Sequence, residues 1–309
     1  MKPLIIGSRG SRLALWQSNF VKAEIEKANP ELTVEIVVIK TTGDKISETA
    51  LRDFSGTGKG IFVKEIEEAL RRGEVDLAVH SLKDVPTDLP ADFTLAAIPA
   101  RADIRDALVA GAGIGSWEDL PAGATLGTSS LRRTVQLKSL RKDFKVQVLR
   151  GNVDTRLRKR TELGLDGVVL AAAGLNRLGL EQHVSCFFPP EVLVPAVGQG
   201  ALAIETRAED RRVTDAVAPL EDPQTRACTD AERLFLARMG GGCQVPMGAY
   251  GEVRSSTARF TALVASPTRD QILRHNWEGD PAQLQQAALE TADYLLSHGA
   301  DRILEELAL

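Results

Sequence analysis

"ATLGTSSLRRTVQLKSLRKDFKVQVLRG", residues 124–151, opens on a short apolar run, passes through a threonine and two serines into a basic amphipathic segment, and returns to an apolar alternation. It reads as strand, helix, strand, with strands near 124–127 and 145–149 and a helix near 130–141. The same alternation continues on both sides, with strands near 107–110 and 167–171 and helices near 152–163 and 173–178. Such spacing is the signature of an α/β fold with mainly parallel strands.

The N-terminal third repeats the pattern. "PLIIGS" is a strand and Ser11 a helix cap. Residues 12–28 form a helix whose apolar positions are Leu13, Trp16, Phe20, Val21 and Ile25. "LTVEIVVIK" is a second strand. A helix over 62–72 buries Phe62, Ile66, Ala69 and Leu70 and pairs Glu67 with Arg71 and Glu68 with Arg72 on its wet face. "VDLAVHS" is a third strand, so two similar lobes are expected. "LAIE", residues 202–205, reads as one more short strand. From about 222 the pattern changes to a helix over 223–238, strand candidates "QVPMGAYGEV", "RFTALVAS" and "QILRHNW", and a last helix from Pro281 to His298, a small α+β domain.

At 309 residues with ordinary apolar and charged content, the chain can bury the cores of two or three domains without staples. No run reaches membrane-spanning length, and the start offers only Leu4, Ile5 and Ile6 before Arg9, so a cytoplasmic protein is expected. Cys186, Cys228 and Cys243 are odd in number and lack a CxxC pair, which excludes a disulfide framework. His80, His183, His275 and His298 lack metal-ligand spacing, and no metal site is expected.

The formal net charge of −4 conceals an asymmetry: residues 129–160 hold 11 Lys and Arg against Asp143 and Asp154. An anion docking on part of this stretch is the implied partner. "LGTSSLRR" places Ser129, Ser130, Arg132 and Arg133 at a helix N-terminus, where unpaired backbone N–H groups favour an anion. One serine can be a plain cap, but a cap does not explain two arginines in the first turn. "VLRGNVDTRLRKR" repeats the arrangement, with Arg150 at a strand end, a Gly151-Asn152 turn, and Arg156 on the next helix. Guanidinium forks suit carboxylates as well as phosphates. Nucleic acid, the rival anion, calls for aromatic platforms, and this stretch holds only Phe144.

In "AVHSLKDVP", Lys83 and Asp84 stand just past a strand end, where the clefts of two-lobed α/β proteins take ligands. Asp84 is either a turn residue or a catalytic carboxylate. "SETALRDFSGTGKGIFVKE", residues 47–65, fails the phosphate-loop pattern, because Gly60 follows Lys59. It is left as a mobile lid or as a loop without function. In "MGGGCQVPMG", residues 239–248, Gly240 suffices to close the preceding helix. Gly241 and Gly242 leave room for something bulky beside Cys243, which suits a covalent anchor better than a hydrolytic nucleophile.

Together, "GKGIFVKE", "AVHSLKDVP", "GTSSLRR", "LRGNVDTRL", "VPAVGQGA" and "GGCQVP" resemble, in order and over nearly the whole chain, the porphobilinogen deaminase (hydroxymethylbilane synthase) family. The resemblance implies two lobes similar to type II periplasmic binding proteins plus a small α+β C-terminal domain. The implied division is 1–99 with 200–218, 100–199, and 219–309, the later segment of the first domain returning through "LAIE". It implies a dipyrromethane cofactor on Cys243 through a thioether, and a transferase of tetrapyrrole biosynthesis. The reaction joins four porphobilinogen molecules with loss of ammonia, and water then releases 1-hydroxymethylbilane. Asp84 matches the catalytic carboxylate. Lys83, Asp84, Ser129, Arg132, Arg133, Arg150 and Gly151 match cofactor-binding positions, and Arg9, Ser11, Arg150, Arg156 and Arg177 match substrate-binding positions. Lys59 and Phe62 match the lid. A monomer without nucleic-acid or membrane partners is expected. The rival reading is a non-catalytic anion-binding sensor on the same two lobes.

Overall fold

The computed structural model describes residues 2–41, 63–240, 245–269 and 271–308. The chain divides into two compact units, Met1–Ala102 with Ala201–Arg226, and Asp103–Gly200 with Ala227–Leu309.

The first unit is a five-stranded sheet. β1 (Leu4–Ser8), β2 (Val34–Val38), β3 (Leu77–Ser81), β4 (Phe93–Ala97) and β10 (Leu202–Arg207) lie in the order β2-β1-β3-β10-β4. β1 is parallel to β2 and β3, whereas β10 runs antiparallel between β3 and β4. "LAIE" is thus the strand that completes this sheet. Helices cover both faces, as a mainly parallel sheet requires. On one side, α1 (Arg12–Ala28) sets Val21 and Ile25 against Leu4, Ile6, Leu77 and Ile204. On the other, α2 (Lys64–Arg71) sets Ile66, Ala69 and Leu70 against Val75 and Ala78.

Two expectations change here. Trp16 and Phe20 are exposed, at 39% and 37%, and stack on each other at 5.5 Å. The buried stripe of α1 is Gln17, Ser18, Val21 and Ile25. Polar Gln17 and Ser18 turn inward because they bond to Ser81 Oγ and Ser8 Oγ, each at 2.8 Å, at the ends of β3 and β1. Apolar counting could not anticipate that rotation. On α2, Glu68 does pair with Arg72 at 4.0 Å, but Arg71 turns to Asp92 rather than Glu67.

The second unit holds a matching sheet. β5 (Asp106–Ala110), β6 (Thr125–Gly127), β7 (Lys145–Gln147), β8 (Gly167–Ala171) and β9 (Cys186–Phe188) lie in the order β7-β6-β8-β5-β9. Here β6 is parallel to β7 and β8, and β5 runs antiparallel between β8 and β9. Each sheet therefore has the same plan: three parallel strands, an inserted opposing strand, and a last strand parallel to the first three. α3 (Leu131–Leu140), α4 (Val153–Glu162) and α5 (Ala172–Arg177) pack around it. Leu126, Leu137, Phe144 and Phe188 fill one face, and Val168, Leu170 and Leu175 the other.

In the first unit the returning chain adds α6 (Arg211–Val217). α7 (Pro223–Arg238) begins there and runs on into the second unit, and Gly240, φ 64°, follows two residues past its end. The C-terminal sheet is β11 (Met247–Arg254), β12 (Thr257–Ala265) and β13 (Ile272–Gly279), all antiparallel. Phe235 of α7 meets Phe260 of β12 edge to face at 5.9 Å, and α8 (Leu284–Leu295) adds Leu284, Ala288 and Leu295 to that core. The last helix does not stop at His298: a kink at Gly299 (φ 104°) passes the chain into α9 (Asp301–Ala308). No described helix is long and apolar enough to cross a membrane.

β11 sits hard against the segment that follows β9. A Cβ added at Gly248 would lie 2.7 Å from the Pro195 carbonyl oxygen and 2.9 Å from that of Val194, both backbone atoms that cannot swing away. Gly248→Ala is therefore expected to lower stability by about 2 kcal/mol through overpacking. Thermal or urea unfolding of the variant checks it, and an unchanged midpoint would show that the two segments can separate at no cost.

Candidate functional site

In the first unit, the polar ends of β1 and β3 emerge at one edge of the sheet, since the strands are adjacent and parallel with Gly7 opposite Ala78. β1 leads into Arg9, half-buried, and Ser11, which caps α1 by accepting from Ala14 N at 3.3 Å. β3 leads into a single 3-10 turn, Leu82–Asp84. Contacts among the described residues hold that turn. His80 Nε2 lies 2.9 Å from Glu205 Oε2 of β10, both buried, and Gln17 holds Ser81. Leu82 N donates to Ala201 O at 3.0 Å and Val85 N to Leu82 O at 3.1 Å. None of them uses the Asp84 side chain. Its carboxylate is exposed and makes no ion pair among the described residues. Lys83 beside it is half-buried.

In the second unit, β6 and β7 end side by side. Thr128 N donates to Gln147 O at 3.0 Å and Leu149 N to Thr128 O at 3.3 Å, so the bonding runs one residue past β6 and two past β7. Ser129 and Arg150 then leave the sheet together, both exposed. Ser130, not Ser129, caps α3, accepting from Arg133 N at 3.4 Å. That leaves the Ser129 hydroxyl at the helix N-terminus for another partner. Gly151 takes φ 119°, a conformation that admits no ordinary side chain, and a Cβ there would meet Thr155 at 2.8 Å. Arg156 curls back over this turn, its Nε donating to Gly151 O at 2.7 Å. Arg177, at the end of α5, donates to Gly200 O at 2.7 Å, and burial pulls its guanidinium down to about 10.

Arg132 and Arg133 lie inward and are buried. Both point at Asp106, the first residue of β5, whose carboxylate is fully buried between them. Burial alone would raise that carboxyl, but the two guanidinium groups outweigh it and hold it well below the usual carboxylate range. Elsewhere in the basic stretch, Arg141 pairs with Asp143 and Arg158 with Glu162. Part of the sequence's local positive charge is thus answered within the chain, while Lys138, Lys142, Lys145 and Arg150 are exposed.

The structure thus gathers Ser129, Arg150, Gly151 and Arg156 at one strand-end cluster, with Arg132 and Arg133 beneath, and Arg9, Ser11, Lys83 and Asp84 at another. Cys243, Lys59 and Phe62 lie outside the described residues. Sequence reading missed Asp106, Gln199 and the His80–Glu205 pair. The alternation predicts β5 from 107, whereas it starts at Asp106, and nothing local marks an acid whose partners are 26 and 27 residues on. The donor set suits a polycarboxylate: two guanidinium groups against one carboxylate leave a positive excess under a helix N-terminus, with a hydroxyl and a further arginine at the surface.

A two-lobed α/β protein with cationic strand ends and one displayed carboxylate is the class these features define. Two family profiles match: "Porphobilinogen deaminase, dipyromethane cofactor binding domain" over residues 4–215, and "Porphobilinogen deaminase, C-terminal domain" over 226–296. The chain belongs to the porphobilinogen deaminase family. Curated relatives of that name include the proteins of Geobacter metallireducens (48% identical, covering 99% of this chain and 95% of that one), Pelobacter propionicus (48%, 99% and 97%) and Syntrophobacter fumaroxidans (47%, 98% and 97%). Among solved structures, the methionine binding protein MetQ aligns over 70% of this chain and 89% of its own at 13% identity, TM-score 0.45.

Proposed function

We propose that this chain joins four porphobilinogen molecules head to tail on a dipyrromethane primer, releasing ammonia at each step and 1-hydroxymethylbilane after hydrolysis. The observation that carries the reading is the match of the cofactor-binding family profile across residues 4–215, which contain the displayed Asp84 and both arginine clusters. When bound, the cofactor supplies the pyrrole end from which the chain grows, held through a thioether to Cys243.

The residues divide the work by chemistry. Arg132, Arg133, Arg150 and Arg156, with Ser129, Lys83, Arg9, Ser11 and Arg177 in support, bind and orient acetate and propionate groups, for which guanidinium forks and hydroxyls are suited. The backbone of Gly151 allows a ligand to approach the turn without a side chain between. Asp84 faces the reacting pyrroles: it stabilises positive charge on ring nitrogens, gives a proton to the departing amine and takes one from the ring carbon that forms the new bond. Lys59 and Phe62 belong to the lid in this reading.

Cytoplasmic location and a monomeric state belong to the same proposal. The sensor reading is the one to be tested against. Incubated with porphobilinogen, the purified protein is expected to release ammonia and form the bilane. Reversible binding without ammonia would replace the enzyme with the sensor.

A further inference from the structure

The buried cluster under α3 holds a second message. Asp106 Oδ2 accepts from Arg132 Nη1 at 2.8 Å. Oδ1 accepts from Arg133 Nη2 at 2.7 Å, from Arg133 Nε at 3.1 Å and from Gln199 Nε2 at 2.9 Å. Both arginines are also tied to the backbone, Arg132 through the same Nη1 to Val194 O at 2.6 Å and Arg133 through Nη1 to Val169 O at 3.0 Å. Gln199 Nε2 also reaches Ile104 O at 2.7 Å, which keeps the carboxylate from turning. No other acid pairs with either guanidinium among the described residues. Two buried cations therefore share one anion.

An uncompensated buried charge is costly, and two adjacent guanidinium groups repel unless something holds them. One carboxylate binding both orients them as a pair while cancelling only half of their charge. A second carboxylate there would quench the pair, and an apolar residue would let the groups swing apart. We propose that Asp106 is a positioning residue for ligand binding: its buried carboxylate, steadied by Gln199, fixes Arg132 and Arg133 as a pre-oriented receptor with one positive charge left for a ligand carboxylate. This rests on the proposal above that those arginines hold acetate or propionate groups.

Asp106→Asn keeps the size of the side chain but removes its charge and turns an N–H toward a guanidinium. In a folded Asp106→Asn protein, the fraction of chains carrying the dipyrromethane mass is expected to fall several-fold. The KM for porphobilinogen of the loaded fraction rises about tenfold, while its kcat stays within about twofold. A merely structural residue would lower the unfolding midpoint and leave loading and KM alone. Arg132→Ala and Arg133→Ala are run beside it. If they load and turn over like the parent, the arginine reading itself fails. If they lose loading while Asp106→Asn keeps parental loading and KM, positioning alone is overturned. Should Asp106→Asn not fold, Gln199→Met decides, since it releases the carboxylate without changing its charge. A KM raised about threefold supports the proposal, and parental KM with parental loading overturns it.

Discussion

Asp84→Ala is expected to fold, to melt within about a degree of the parent, and to form bilane at least about a hundredfold more slowly. The stability half follows from geometry. The 3-10 turn is held by backbone bonds of Leu82 and Val85 and by His80, Ser81 and Gln17, while the Asp84 carboxylate is exposed and contributes nothing to them. Truncating an exposed side chain of that kind changes stability by a few tenths of a kcal/mol. The activity half follows from chemistry, since a positioned acid–base group contributes about 10²- to 10⁴-fold. Asp84→Asn separates the roles further: it retains hydrogen bonding but neither charge nor proton transfer, so it stays close to the alanine variant if charge and proton movement are what matter. Near-parental turnover by either protein removes Asp84 from the mechanism.

Cys243→Ser carries the second large effect. The parent is expected to show an intact mass exceeding its polypeptide by two linked pyrrole units, and the serine protein the bare polypeptide mass. Sulfur is soft and polarisable enough to trap an electrophilic methylene, and the hydroxyl that replaces it is a far weaker nucleophile at neutral pH. Loss of the primer removes the point from which the chain grows, so turnover should be lost with the mass. A parent of bare mass that gains none on incubation with porphobilinogen would sink the anchor assignment; a gain in the parent alone would show that it had been isolated without its primer.

Much of the architecture was legible because it depends on local alternation. The run 124–151 gives β6, α3 and β7 within a residue or two at each end, since a strand, a capped helix and a strand each leave a short-range trace. What escaped depends on partners distant in sequence. Gln17 and Ser18 look like the wet side of α1 until the ends of β1 and β3 are set beside them. Arg132 and Arg133 look like surface cations until β5 brings Asp106 underneath. Among the site residues, Ser129 and Arg150 could be picked out as strand-end groups from pattern alone. The particular roles of Asp84 and Cys243 came from the ordered family motifs, because a lone Asp before a Val-Pro and a lone thiol after glycines each have plainer explanations.

The strand inserted into the first sheet bears on how this protein is made. β3 and β4 leave the ribosome together, but β10, the strand that lies between them, begins only at Leu202, about a hundred residues later. The sheet of the second unit needs only Asp106–Phe188, a continuous stretch, and so can close while the first still waits. Until β10 arrives, the edge of β3 that will receive Leu202–Thr206 is open, and it carries the buried residues Leu77, Ala78 and Val79. An open apolar edge of this kind invites pairing with a foreign strand. During synthesis the N-terminal half is therefore the part most in need of a chaperone, and the nascent chain passes out of that hazard when the return strand is complete.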